Sequence, residues 1–94
     1  MTPAEQFVTL QTDGKNAADL TFKWDAGTHN AHNVWMFLHK SEYDSCNFDS
    51  AIEMGAKSPY IFSTTTPGLY YFGCGIYGHC DDGQKLTLKV IGEH

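Results

Sequence analysis

A chain of 94 residues, 41% hydrophobic and 14% aromatic, has room for one small domain and excludes a second of ordinary size. Eleven acidic against six basic residues leave a formal charge of −5, which argues against nucleic acid or an anionic membrane as the main partner. The longest apolar run, Val34-Trp35-Met36-Phe37-Leu38, is far shorter than the roughly 20 residues of a membrane span.

Met1 to Glu5 lack the basic start and apolar stretch of a signal peptide. The expectation is either a cytosolic protein or a mature domain without its leader. Phe7-Val8-Thr9-Leu10 predicts a weak strand. Leu20, Phe22 and Trp24 alternate with Thr21 and Lys23, and Val34, Met36 and Leu38 form another alternating set. Each reads as a half-buried or buried strand. Ser41 to Gly55 breaks the pattern. Ser50 followed by Glu53 resembles a capping box, so one or two short helical turns are expected there. Tyr60-Ile61-Phe62 and Leu69-Tyr70-Tyr71-Phe72 are short, aromatic and β-prone. Leu86, Leu88 and Val90 then alternate with Thr87, Lys89 and Ile91. Turn signals at Asp13-Gly14, Ala26-Gly27, Pro67-Gly68 and Asp82-Gly83 separate these runs. Six or seven short strands at this spacing predict an all-β antiparallel sandwich.

Three cysteines, Cys46, Cys74 and Cys80, allow at most one internal disulfide and leave one thiol over. A disulfide would help a domain this short of core and would place it in an oxidising compartment. The remaining thiol could be a plain buried cysteine, but its surroundings give it a chemistry. Cys74 ends a strand, His79 lies five residues on in a glycine-rich loop, and Gln84 lies five further where the next strand begins. A strand-loop-strand of this length can fold a thiolate, an imidazole and an amide oxygen onto one metal. A second histidine must come from elsewhere, and Thr28-His29-Asn30-Ala31-His32-Asn33-Val34 offers two. Two imidazoles, one thiolate and one weak axial donor make a mononuclear blue-copper site.

On these residues the chain resembles the phytocyanins, within the cupredoxins, and is most similar to their stellacyanin subgroup. The motif is Cys-x4-His-Cys-x3-Gln-Lys-Leu, from Cys74 to Leu86. His32-Asn33-Val34 and Tyr43-Asp44-Ser45-Cys46-Asn47 match two further segments of the family. The resemblance implies a Greek-key sandwich over residues 1–94, one copper ion on His32, Cys74 and His79, and Gln84 as axial ligand. It implies a Cys46–Cys80 disulfide, which accounts for the odd cysteine. It also implies that Asn33 braces the site, through its backbone amide to the Cys74 sulfur. The implied function is one-electron transfer without catalysis. The implied partner is a redox protein or a small-molecule donor or acceptor met transiently by a monomer. The implied location is extracellular or another oxidising compartment, and a lost signal peptide and membrane anchor are compatible with this segment. The alternative is an extracellular or cell-surface binding or structural module that keeps the fold without a redox role.

Two departures from the family pattern stand out. The N-terminal third lacks the usual opening, so the first sheet is expected to be reduced or rearranged. The loop before His32 is lengthened, which makes His29 the competing first ligand; His-Asn-Val and the distance to Cys46 favour His32. Tyr77, beside His79, is a candidate for shaping a docking patch. Asp81 and Asp82 are candidates for steering a cationic partner. His39 and His94 are expected to be bystanders.

Overall fold

The computed structural model describes residues 6–24, 32–76, 78–81 and 83–92. Among them are seven strands and one helix: β1 (Gln6–Thr12), β2 (Ala18–Phe22), β3 (Val34–Phe37), α1 (Lys40–Ser45), β4 (Ile52–Gly55), β5 (Tyr60–Thr64), β6 (Gly68–Gly73) and β7 (Lys85–Gly92). They form a five-stranded sheet in the order β1-β7-β6-β3-β4 and a two-stranded sheet of β2 and β5. The N-terminal strands are divided between the two, β1 in the larger sheet and β2 in the smaller.

The alternation at the C-terminal end sets this arrangement. Leu86, Leu88 and Val90 of β7 point one way and are buried, with Leu88 fully so. They meet Val34 of β3, Phe72 of β6, Ala18 of β2 and Phe62 of β5 in a core between the two sheets. Phe72 is its hub, with ring centroids 5.2 Å from Phe22 and 5.0 Å from Phe62, both edge-on.

The opposite face of the large sheet carries a second, smaller cluster. Phe37, Tyr43 and Cys80 are buried there, with Phe48 and Tyr71 packed against them. β3 is therefore packed on both faces: Val34 faces one core and Phe37 the other. Leu38 falls beyond the strand and is half exposed.

Three local expectations need correction. The β1–β7 pair is parallel, from Gln6 opposite Leu86 to Thr12 opposite Gly92, while the other pairs are antiparallel. Helix forms over Lys40–Ser45, at the start of the expected region, but Ser50 and Glu53 cap nothing. Their segment becomes β4, with Glu53 opposite Trp35. Gly55 closes the stretch before a helical nucleus could repay its cost, and the free edge of β3 offers hydrogen bonds at once. Trp24 lies just past β2, where its amide donates to Ser58 Oγ at 2.9 Å.

Cys46 ends α1 in the left-handed conformation, φ 54°, and is disulfide-bonded to Cys80 across 34 positions of chain. Closing a loop of that length restricts the unfolded chain and stabilises the fold by about 4 kcal/mol.

Leu88→Ala removes the centre of the main core. It should cost about 3 kcal/mol in urea unfolding with the disulfide intact. A loss under about 1 kcal/mol would mean that the two sheets do not share this core.

Candidate metal centre

Four residues singled out in the sequence are brought together by three elements. Cys74 follows β6 directly and is buried with a free thiol. His32 lies two residues before β3. His79 and Gln84 belong to the loop that returns to β7.

The loop is held by main-chain hydrogen bonds. The Cys74 amide donates to the Gln84 carbonyl at 3.1 Å, and the Gln84 amide donates to the His79 carbonyl at 3.0 Å. Gln84 is therefore tied to both of the other loop candidates. The His79 amide donates to Ile76 O at 3.0 Å and the Gly83 amide to Cys80 O at 3.0 Å. Glycine is required beside Cys74. A Cβ on Gly73 would lie 2.8 Å from the Phe37 ring, and one on Gly75 would run into the Trp35 indole. The sequence shows the glycines, but not that two aromatic rings press on them.

Asn33 braces the site by its side chain. Its Oδ1 accepts from the Gly75 amide at 2.6 Å and lies 3.9 Å from the Cys74 sulfur. The bond seen replaces the backbone contact expected from Asn33, because the carboxamide can reach over to the residue after Cys74.

Three donor atoms converge. Cys74 Sγ is 3.3 Å from His79 Nδ1 and 3.6 Å from His32 Nδ1, and the two Nδ1 atoms are 3.2 Å apart. No other group of three or more His, Cys, Asp or Glu donors this close occurs among the described residues. A point equidistant from the three atoms lies about 2 Å from each, close to the roughly 2.0–2.3 Å of metal–imidazole and metal–thiolate bonds. A soft thiolate beside two imidazoles suits copper in both oxidation states. The residues therefore fit one copper ion.

The Gln84 side chain lies near enough to the His32 ring to act on its pKa. His32, Cys74 and Gln84 line one end of a cavity of about 450 Å³ whose walls include Phe22, Trp24 and Phe72. The Trp24 ring meets His32 edge-on, with centroids 6.2 Å apart. His39 is exposed ahead of α1 and Asp81 is exposed in the loop. His29, Tyr77, Asp82 and His94 lie outside the described residues.

The family model of the plastocyanin-like domain matches residues 17–84. Cucumber peeling cupredoxin of Cucumis sativus is 40% identical over 63 residues, which are 66% of this chain and 46% of that protein. Stellacyanin of Toxicodendron vernicifluum is 34% identical over 71 residues, 76% of this chain and 63% of that protein. The structure of cucumber stellacyanin with Cu2+ at pH 7.0 superposes with a TM-score of 0.68 at 34% identity, covering 81% of this chain and 67% of that chain. This chain thus spans less than half of the first relative and under two thirds of the second.

Burial holds the His32 pKa below its ordinary value of 6.5; the charge of nearby His79 lowers it further, and the Gln84 hydrogen bond opposes both. Lowering the pKa favours the neutral ring that a metal needs. The folded chain then binds fewer protons here than the unfolded chain. The His32 contribution to stability is fully present above 6.5 and is lost as pH falls through the folded pKa. The metal-free protein should gain stability as pH rises toward 6.5, and His32→Asn should flatten that rise. Equal slopes in the two proteins, read from urea midpoints, would contradict this.

Proposed function

The chain belongs to the plastocyanin-like domain family, and from that premise we propose that it is one cupredoxin domain acting as a one-electron carrier. His32, Cys74 and His79 would hold the copper ion, and the Gln84 side-chain oxygen would serve as a fourth, weaker donor. The observation that carries this reading is the convergence of one sulfur and two Nδ1 atoms within 3.6 Å of one another.

Bound copper supplies a couple between Cu(II) and Cu(I). The chain's own residues supply the rest. Cys74 gives up its thiol proton on metal uptake and offers a buried sulfur. His32 and His79 offer Nδ1 atoms already at coordinating separation. Asn33, through Gly75, keeps the Cys74 side chain from swinging away. A frame this closely tied changes little between oxidation states, which keeps the reorganisation small. His79, on the loop, is the ligand that partners approach, over a small docking surface of the kind redox encounters use.

The reading is of a carrier rather than a catalyst. Gln84 takes the position that a substrate would need, and no acid–base pair is invoked. The intact triad favours this over a binding module that keeps only the fold. The Cys46–Cys80 disulfide supports an extracellular or other oxidising compartment. Among the described residues no helix is long and apolar enough to cross a membrane.

An amide oxygen favours Cu(II) more than a thioether does. Gln84→Met should therefore raise the reduction potential measured by voltammetry of the copper protein, with the one-electron couple staying reversible. An unchanged or lower potential would refute axial ligation by Gln84, and the absence of a reversible couple in the parent protein would refute the carrier.

A further inference from the structure

Lys85 opens β7 immediately after Gln84, yet its side chain leaves the sheet for the end of α1. Its Nζ donates to the carbonyls of Tyr43 at 3.1 Å and Asp44 at 3.3 Å, and sits 4.7 Å from the centroid of the Tyr43 ring. The Tyr43 carbonyl also accepts from the Cys46 amide at 3.3 Å, and a cation adds to the bonding of carbonyls at a helix C-terminus. The Tyr43 ring that Lys85 covers is buried and held by Tyr71 and Phe37, with centroids at 5.1 Å and 5.9 Å. The anchor is thus part of the second core, not a surface arm.

The same helix end carries Cys46, whose disulfide reaches Cys80. The chain from Cys80 to Lys85 is therefore fastened at both ends to one place, covalently at Cys80 and by charge-assisted hydrogen bonds at Lys85. Between them lies Gln84, with its main chain bonded to Cys74 and His79. Lys85 also stands opposite Gly73, the residue before Cys74, in the β6–β7 register. A shift of Lys85 would thus move the entry of β7 against the residues that hold the thiol.

We propose that Lys85 is a positioning residue of the metal centre: its tether to the end of α1 fixes Gln84 in place and, through Gln84, the separation of Cys74 and His79. The proposal rests on the reading of these residues as metal donors, but part of its test needs no metal. Lys85→Met keeps the length of the side chain and removes the charge and the donors; Lys85→Arg restores both.

Amide hydrogen exchange of the metal-free chain, with the disulfide intact, reads the effect directly. Lys85→Met should speed exchange at Cys74 and Gln84 about tenfold, with Leu88 in the core changed by less than about twofold, and Lys85→Arg should return the parent rates. With Cu(II) added, Lys85→Met should shift or weaken the thiolate absorption band and Lys85→Arg should recover it. If exchange at Cys74 and Gln84 is unchanged, or rises only in step with Leu88, Lys85 serves general stability and the proposal fails. A parent protein that shows no band would instead refute the copper reading, while the exchange rates still decide the role of Lys85.

Discussion

The hydrogen bond from the Cys74 amide to the Gln84 carbonyl closes the loop on which the whole site depends. It makes the first residue after β6 and the last before β7 main-chain neighbours. The next bond, from the Gln84 amide to the His79 carbonyl, brings the imidazole into the same ring of contacts. Three of the four proposed donors are thereby placed by main-chain geometry over eleven consecutive residues, Cys74 to Gln84. Only His32 arrives from a distant part of the chain, and it does so because β3 pairs with β6.

The large sheet holds this loop rigid because it is packed on both faces. One face is the core between the sheets, centred on Leu88 and Phe72. The other lies under α1, where Phe37, Tyr43 and Cys80 are buried. The disulfide joins the second cluster to the ligand loop, so its stabilisation acts next to the site. A small chain with a two-stranded second sheet has little other means of keeping a loop in one conformation. The constraint has a cost: glycine is the only residue that fits at Gly73 and Gly75, between β6 and the aromatic rings of Phe37 and Trp35.

Much of this was legible in the sequence, because the site is encoded locally. The spacing of Cys74, His79 and Gln84 fixes a strand-loop-strand, and the period-two runs mark the strands that frame it. What was not legible depends on pairing at a distance. The local alternation of Phe7 to Leu10 shows a strand but not its direction, and β1 runs parallel to β7. Ser50 and Glu53 satisfy a helix-start pattern that the open edge of β3 overrides. Phe37 reads as core and is buried, but the sequence does not show that its core is a second one, shared with Tyr43 and Cys80. Asn33 was legible as a brace, but not the atom it uses. Lys85 was legible only as part of a motif, since the helix carbonyls it meets lie some forty positions away.

The proposed function requires the Cys74 sulfur to bond copper together with the two imidazoles. A visible absorption spectrum of the purified chain, taken on addition of Cu(II), tests it most directly, with Cys74→Ser as the control. An intense blue band should appear, saturate at one equivalent and be missing from the control. Copper that binds without the band, or a band that survives in Cys74→Ser, would contradict it.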